Sequence, residues 1–296
     1  GSWATPRAGA ERVEAWRRRG GRGGVVVVTA SMQALWESTL DNWPYSERAL
    51  FVTGTALVHS GFFWVPNLIL YAMHKNGWME GYKIQGSKYP SGQLIRDAFK
   101  AVALSHLITQ WVGFYFAYDV YKYYGATASR ELPGLLEVLW NLAVAVAVND
   151  TLFYWAHRLL HHRSIYRFIH KQHHEFRTNV GIASEYAHPV EVILANFIPT
   201  FGGLAVVGTH FVTLWIWVAI RILETVDAHS GYDFPFAPHN LLGFLSGASR
   251  HDYHHSHNKG CFGAFTIFWD RLCGTDKDFL AWQEKEHAKK TAAKSQ

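Results

Sequence analysis

Histidine is the residue type in this chain with the clearest potential for chemistry, because it is frequent and tightly grouped. The chain has 18 histidines among 296 residues, and ten of them fall within residues 156–174 and 251–257. Eight of the ten are spaced so that a helix would bring their imidazoles together. They form three groups, which are His157 and His161; His170, His173 and His174; and His251, His254 and His255.

The number and spacing of these imidazoles indicate more than one metal ion. Residues four apart, such as His157 and His161, share one face of a helix. In the other two groups, residues i and i+3 share a face while the adjacent histidine points about a third of a turn away, so each group can reach two metal ions. Eight imidazoles also exceed the four ligands of a structural zinc site. The sequence predicts a dinuclear site, although imidazole binds zinc, copper and iron alike.

The other histidines are interpreted differently, because a lone histidine is more often a hydrogen-bonded residue than a metal ligand. Three lie in apolar stretches and are predicted to be hydrogen-bonded core residues, namely His59, His106 and His210. Three lie beside the groups or in the polar tail and are predicted to be solvated, namely His162, His257 and His287.

Motifs that are missing from the sequence exclude several classes of enzyme. No H-E-x-x-H occurs, which excludes a zincin protease, and the chain has one credible E-x-x-H, Glu185 to His188, too few for a ferritin-like di-iron bundle. It also lacks a P-loop, a G-x-G-x-x-G after a strand and a C-x-x-C-H, so no nucleotide, flavin or haem motif is recognisable. Electrons for redox chemistry must therefore come from a partner.

Composition narrows the environment of the protein. Charged residues make up 17% and aromatic residues 16%, which disfavours a disordered chain. Cys261 and Cys273 cannot form a disulfide framework and fit a reducing compartment. The net charge of +5 is compatible with an anionic membrane surface or a nucleic acid. We predict no nucleic-acid partner, because the Arg/Gly run near the N-terminus is more typical of a solvated arm.

Long apolar stretches predict an all-α, multi-span membrane bundle, since a bilayer core of about 30 Å requires about 20 apolar helical residues. Pro199 and the Gly202–Gly203 pair interrupt the last stretch, which predicts a broken hairpin that crosses the membrane and returns. The third stretch is either a span or a helix half-buried at the cytosolic surface. The four stretches are residues 49–73, 101–118, 135–156 and 190–220.

Charge predicts the orientation of these spans. The loop of residues 74–100 carries Lys75, Lys83, Lys88, Arg96 and Lys100 against Glu80 and Asp97. The positive-inside rule therefore places this loop in the cytosol, and the histidine groups return to the same side as a cap. The predicted organisation is a disordered leader or non-native extension at residues 1–31, membrane helices at 32–134, a catalytic domain at 135–279 and a polar tail at 280–296.

The three histidine groups and the segment from Trp269 to Asp276 make residues 135–279 resemble the fatty acid hydroxylase and sterol desaturase superfamily of membrane-bound di-iron oxygenases. Three longer segments are similar to the sterol C-4 methyl oxidases, particularly the plant and algal type. These segments run from Ser184 to Glu191, from Glu224 to Pro235 and from Gly247 to His255.

The resemblance implies roles for individual residues. The eight grouped histidines become iron ligands, His229 becomes a ninth, and His188 is either a tenth ligand or a neighbour of the ligands. The superfamily often has a second histidine four residues after the position of His229, where this chain has Asp233. Asp150 lies seven residues before His157 on the same helical face. There it either accepts the imidazole N–H of that ligand or is a helix residue with no metal role.

The activity implied by the resemblance is oxidation of the C-4 methyl group of 4-methylsterols to alcohol, aldehyde and carboxylic acid in sterol biosynthesis. It requires two irons, dioxygen, and electrons from NAD(P)H through cytochrome b5 or a similar carrier and its reductase. Further implied partners are the sterol, membrane lipid and other C-4 demethylation enzymes. The implied location is the endoplasmic reticulum membrane, with the active site facing the cytosol.

Alternatives remain open at the level of sequence. Within the superfamily, the chain could be a related lipid hydroxylase or a sterol desaturase. Outside the enzymes, it could be a histidine-rich membrane protein that binds or transports metal. A transporter would place histidines inside its spans, whereas this chain has its groups at span ends. Four aromatic residues are either candidates to line the sterol path or ordinary core and lipid-facing residues, namely Phe197, Phe201, Trp215 and Trp217.

Overall fold

The computed structural model describes residues 23–294, and within this range the chain forms helices and isolated bridges but no strand, as the all-α prediction requires. The α-helices are α1 Gly23–Asn42, α2 Glu47–Asn76, α3 Gly92–Leu104, α4 Gln110–Tyr123, α5 Leu135–Leu160, α6 Pro189–Val207, α7 Phe211–Ala228, α8 Pro238–Leu241, α9 Ala248–His257, α10 Phe268–Cys273 and α11 Lys277–Lys294. The π turn Ser105–Thr109 joins α3 to α4, and the π turn Val192–Phe197 lies within α6.

The predicted leader at residues 1–31 falls partly on α1. Residues 1–22 lie outside the described residues, whereas residues 23–31 form the first part of α1. The helix is held by its later residues: Trp36 Nε1 donates to the carbonyl of Ser129 at 2.7 Å, and Arg130 pairs with Asp41 at 2.7 Å. These contacts join α1 to the loop between α4 and α5.

Helix α2 begins and ends where the sequence supplies caps. Ser46 Oγ accepts the N–H of Ala49 at 3.2 Å, and Gly77 ends the helix with φ of 67°, a left-handed conformation that glycine adopts without strain. Its predicted apolar stretch, residues 49–73, lies wholly within the helix. Among the described residues, three helices are long and apolar enough to cross a membrane, and they are α2, α5 and α6.

The predicted span at residues 101–118 is not one of these three helices. The structure divides it between α3, the π turn and α4. Ser105, His106 and Gln110 interrupt its apolar sequence, and His106 and Gln110 point their polar groups at other residues of the bundle. The predictions for residues 49–73 and 135–156 are confirmed as helices that could span a bilayer, whereas α3 and α4 form a bent pair packed beside them.

The predicted hairpin at residues 190–220 is present, but its turn lies later than expected. Pro199 and Gly203 are inside α6, and the chain turns at Gly208, which has φ of 65°. Pro199 is tolerated because it follows the π turn, where the backbone hydrogen-bond register is already shifted. A Cβ on Gly203 would lie 3.1 Å from Ala145 Cα, so this glycine allows α6 to approach α5 closely and does not break the helix.

The two ends of the bundle consist of different segments of the chain. At one end, the turn after α6 meets the loop after α4, where the N–H of Thr127 donates to the carbonyl of Thr209 at 3.3 Å. The polypeptide returns through α7 to the other end, where His157 to His174 and His251 to His255 meet. The prediction that these two regions lie on the same side of the bundle is therefore confirmed.

The core of the bundle is aromatic and packs between α2, α4 and α7. Trp217 is fully buried, and its Nε1 donates to the carbonyl of Thr200 at 2.6 Å, which ties α7 to α6. Trp215 lies against Gly54 of α2, where a Cβ would be 2.1 Å from the indole. Phe197 and Phe201 stack on each other beside Phe114. These four aromatic residues are packing residues, as one of the two sequence interpretations expected.

Candidate metal centre

Nine histidines converge in two clusters at the end of the bundle that carries the histidine groups. In each cluster the ligand atoms all lie within 4.8 Å of one another. Cluster A contains His157, His161, His170, His174 and His254. Cluster B contains His173, His229, His251 and His255. The structure thus brings together all eight grouped histidines and His229.

The second and third groups each contribute to both clusters, as predicted, but the pairing differs from the prediction. His170 and His174 enter cluster A together, while His173 enters cluster B. Likewise, His251 and His255 enter cluster B and His254 enters cluster A. The partners are therefore i and i+4. In α9, 3.6 residues per turn make this spacing deviate by about 40° from full alignment, against about 60° for i and i+3. His170 and His174 lie in a segment of turns that ends in a 3-10 helix, where the N–H of His174 donates to the carbonyl of His170 at 3.3 Å.

Ring N–H groups in cluster A point away from its centre. His157 Nδ1 lies 3.1 Å from the carbonyl of Phe262, and His254 Nδ1 lies 2.6 Å from the carbonyl of Gly260. A carbonyl only accepts, so each Nδ1 carries the proton of a neutral imidazole. The Nε2 atoms are left with lone pairs, which is the tautomer that binds a metal.

Cluster B repeats this arrangement with other carbonyls. His229 Nδ1 donates to the carbonyl of Thr225 at 2.8 Å, and His255 Nδ1 donates to that of Phe176 at 2.9 Å. His173 Nδ1 donates to the carbonyl of Tyr186 at 3.4 Å. The sequence could not identify these acceptors, because any residue type supplies a carbonyl.

The distances between the Nε2 atoms fit a bound cation. In cluster A, Nε2 of His157 is 3.1 Å from that of His170, and in cluster B, Nε2 of His251 is 2.8 Å from that of His229 and 3.1 Å from that of His255. Nitrogens about 2.0–2.1 Å from a metal lie about 2.8–3.4 Å apart for angles of 90–109°. Lone pairs facing each other at this separation repel unless a cation lies between them.

Burial keeps these imidazoles neutral. Burial lowers the pKa of His173 to about 4. Burial and the neighbouring imidazoles hold the pKa of His251 and of His254 well below the usual range. A neutral ring is the form that a metal requires, so no proton has to leave before binding at neutral pH. The donor set, the tautomers and the spacing therefore all suit metal ions.

Asp150 does not contact the imidazole N–H of His157, which was one of its two predicted roles. Its carboxylate accepts the backbone N–H groups of Phe265 and Thr266, each at 2.9 Å. The carbonyl of Phe262 accepts the His157 N–H instead. Asp150 thus supports the loop that carries this carbonyl, and its effect on His157 is indirect.

His188 is outside both clusters. Its Nδ1 accepts the N–H of Val190 at 3.2 Å, so it caps the N-terminus of α6. Asp233 is also outside, because its carboxylate binds His239 at 3.2 Å and the Ser249 hydroxyl at 2.6 Å. Cluster B has four imidazoles without Asp233, so the histidine that the superfamily often has at this position is not needed to complete it.

The structure also contains a polar residue near the ligands that sequence reasoning missed. Glu191 is 4% exposed, and its Oε1 lies 2.9 Å from His170 Nδ1. The signal available in the sequence was a carboxylate at the start of the apolar stretch of α6, two residues after Pro189. A charged residue in that place needs a partner.

The six histidines that were predicted to be core or solvated residues lie as predicted. His162, His257 and His287 are exposed. His210 is buried and caps α7 by accepting the N–H of Val212. His59 and His106 are buried in the bundle, where both contact the carboxylate of Glu185. These three residues form a third group whose ligand atoms are close together.

A small cavity of about 20 Å³ adjoins both clusters. Its residues other than histidine come mainly from α5, α6 and α7, three helices that pack against one another. The four aromatic residues considered as a lining from the sequence are not part of its wall. The cavity is lined by Phe153, Ser184, Glu191, Ala195, Asn196 and Thr225 with His157, His170, His173, His229 and His251.

Comparison with known proteins decides the family. Methylsterol monooxygenase 1 from Gallus gallus is 36% identical over 257 residues, which cover 85% of this chain and 84% of the relative. A family model described as fatty acid hydroxylase matches residues 142–275, a range that holds all nine histidines of the two clusters. The chain belongs to the fatty acid hydroxylase family. Members of this family are di-iron oxidoreductases, and clusters A and B are groups of imidazoles that could bind metal.

Other relatives have different names. A methylsterol monooxygenase from Arabidopsis thaliana is 34% identical over 239 residues, which cover 79% of this chain and 89% of the relative. A very-long-chain aldehyde decarbonylase from Oryza sativa subsp. indica is 35% identical over 270 residues, which cover 89% of this chain and 99% of the relative. No solved structure matches the chain. Family membership therefore leaves the substrate to be decided.

Proposed function

We propose that this fatty acid hydroxylase family member is a membrane-bound di-iron monooxygenase that oxidises the C-4 methyl group of 4-methylsterols. The observation that carries the proposal is the pair of clusters with their lone pairs turned inward beside one cavity. The methylsterol monooxygenases among the relatives support the choice of substrate. Successive oxidations would convert the methyl group to alcohol, aldehyde and carboxylic acid.

The residues present fit a pair of iron ions. Cluster A would hold one ion with up to five imidazoles, and cluster B would hold the other with four. Imidazole alone does not select iron, so the choice of metal follows the family. The bound iron pair would supply the activation of dioxygen that oxidation of an unactivated C–H bond requires, because side chains cannot perform this chemistry.

The protein itself would bind and orient the sterol. Phe153 and Ala195 offer apolar surface in the cavity wall, whereas Ser184, Asn196 and Thr225 offer uncharged polar groups. The reacting methyl group would enter this small cavity, where the polar groups would fix its orientation. Because α5 and α6 are long and apolar enough to span a bilayer, the sterol would enter the site directly from the membrane.

Electrons would come from NAD(P)H through cytochrome b5 or a similar carrier and its reductase. The basic segment of residues 74–100 contacts the histidine end of the bundle, where Gln85 donates to Asp252 at 3.0 Å. A carrier with an acidic face would dock there through complementary charge. We further propose that this end faces the cytosol from the endoplasmic reticulum membrane, close to other C-4 demethylation enzymes.

A second candidate is conversion of very-long-chain aldehydes, which the rice relatives favour at a similar level of identity. The same clusters and the same cavity would serve both substrates, since both are apolar and enter from lipid. A related lipid hydroxylase or sterol desaturase would likewise keep the metal centre. The two named activities differ in product, which makes them separable.

The deciding experiment is expression of the chain in yeast that lacks its own C-4 methyl oxidase. We expect 4-methylsterols to disappear from the sterol profile, and His254→Ala to leave them in place. In parallel, membranes are incubated with a very-long-chain aldehyde and assayed for alkane. Alkane formation with unchanged 4-methylsterols would replace our proposal by the second candidate. Bound metal without oxygen consumption on any of these lipids would favour a metal-binding or transport protein.

A further inference from the structure

One ligand of cluster A, His170, has a buried carboxylate beside its Nδ1. Five of the nine imidazoles donate their Nδ1–H to backbone carbonyls, namely His157, His173, His229, His254 and His255. His170 has a carboxylate beside this nitrogen: Glu191 Oε1 lies 2.9 Å from its Nδ1, without the alignment of a hydrogen bond. Both side chains are buried, with 1% of His170 and 4% of Glu191 exposed.

Glu191 has no ion-pair partner other than His170 within the described part of the chain. No lysine or arginine pairs with it there, and its Oε2 is buried without a hydrogen-bond partner. Asp150 and Asp270 are also buried, but both of their oxygens accept N–H groups of the loop at residues 262–266. They therefore act as loop anchors, which Glu191 does not.

The position of Glu191 in the chain places its side chain in the wall of the cavity. It occupies the first turn of α6, directly before the π turn Val192–Phe197, and it lines the cavity together with His157 and His170. A carboxylate taken out of water is costly unless it is paired. The partner within reach is the imidazole N–H of a cluster A histidine.

We propose that Glu191 is a positioning residue for the metal of cluster A. With its Oε1 2.9 Å from His170 Nδ1, Glu191 favours a proton on that nitrogen, which leaves the Nε2 lone pair for the cluster. A carboxylate acceptor also makes the imidazole a stronger donor than a carbonyl does. The metal positions of clusters A and B consequently differ in the groups that support their ligands. This inference rests on the proposed function only where it names iron as the metal.

The test uses the full-length protein purified in lipid nanodiscs, stripped of metal and titrated with Co²⁺, whose visible spectrum reports the ligands of each ion. In Glu191→Leu we expect binding of one of two Co²⁺ ions to weaken by about 10–100-fold, while the other is unchanged. Glu191→Gln keeps an acceptor oxygen, so it should retain both ions with an altered spectrum for one. Mössbauer spectra of iron-loaded protein should show the same single-site change.

Glu185 provides the matched control, because it is a buried carboxylate that contacts His59 and His106 but no residue of cluster A or B. Glu185→Gln and Glu185→Leu should bind both Co²⁺ ions with wild-type spectra. Wild-type affinity and spectra in Glu191→Leu would overturn the proposal. Equal loss of both ions in Glu191→Leu and Glu185→Leu would also overturn it, since that indicates general unfolding.

The two proposals fail separately in this design. A wild-type protein that binds two Co²⁺ ions with a Glu191-dependent difference, but does not clear 4-methylsterols, contradicts only the proposed substrate. A protein that clears 4-methylsterols but shows no effect of Glu191→Leu contradicts only the role of Glu191.

Discussion

The molecule contains two buried regions where histidines meet, and they are built in opposite ways. One is the pair of clusters A and B, and the other is the group of His59, His106 and Glu185 between α2 and the π turn after α3. In both regions the candidate ligand atoms lie within 4.8 Å of one another. Distance and residue type alone do not distinguish them.

The direction of the ring N–H separates the two regions. In the second region, Trp64 Nε1 donates to His106 Nδ1 at 3.1 Å, and an indole N–H can only donate. The proton of neutral His106 must therefore sit on Nε2, where it is donated to Glu185 Oε2 at 2.7 Å. A metal there would have to displace this proton, whereas five of the nine rings in clusters A and B already direct their protons outward to carbonyls.

The comparison teaches that a histidine site is defined by the partners behind the rings. Carbonyls behind the rings of clusters A and B expose lone pairs to a cation. A donor behind the ring of His106 exposes a proton to a carboxylate. We interpret the group of His59, His106 and Glu185 as a hydrogen-bonded link between elements of the bundle, with no metal.

The largest effect should follow loss of a ligand in the metal region. In His254→Ala or His255→Ala, we expect bound iron to fall from about two per chain to about one or fewer, with turnover reduced by at least about 100-fold. Iron analysis and sterol product formation measure both quantities. The control is His257→Ala on the same helix, whose ring is exposed and stacks on Tyr253. Full iron content in His254→Ala would remove the basis of the comparison.

A second test uses two histidines that sequence reasoning considered together. His229 is in cluster B and His188 caps α6. We expect His229→Ala to lose iron and activity, and His188→Ala to keep its iron while losing about 0.5–2 kcal/mol of stability with its cap. Metal content and thermal unfolding are measured for both variants. Equal iron in both would place His229 outside the metal centre.

A third test addresses the region without metal. In Glu185→Gln or His106→Phe, we expect both irons to remain, while the free energy of unfolding falls by about 1–3 kcal/mol because a buried polar partner is left unsatisfied. The measurements are iron content and denaturant unfolding in detergent. Loss of iron from either variant, in protein that is otherwise folded, would show that this group belongs to the metal chemistry.

The smallest effect is expected at the loop that supports cluster A. Asp150→Asn removes one of two acceptor oxygens beneath Phe265 and Thr266, at a cost of about 1 kcal/mol. Iron should be retained, because the carbonyl of Phe262 is still present. Hydrogen exchange at the amides of residues 262–266 should accelerate, and unchanged exchange there would contradict the anchoring role of Asp150.

The sequence by itself was enough to predict which histidines meet and which helices are apolar. The eight grouped histidines could be identified because their spacing reflects local helical geometry, which needs no knowledge of distant residues. The helices around residues 49–73 and 135–156 were predictable for a similar reason, since length and apolar content are properties of a single segment. His229 required the resemblance to a family as well.

Tertiary structure decided how these residues are used. Whether a ring presents a lone pair or a proton depends on a partner far along the chain, as with His157 and Phe262, 105 residues apart. The same holds for Glu191 on His170 and for Asp150 under its loop, because burial and pairing of a carboxylate are set by packing. The hairpin turn fell at Gly208 instead of Pro199 and Gly203, since close contact with α5 uses the small residues inside α6. Local spacing brings the imidazoles together, and only the folded chain determines which of them can bind a metal.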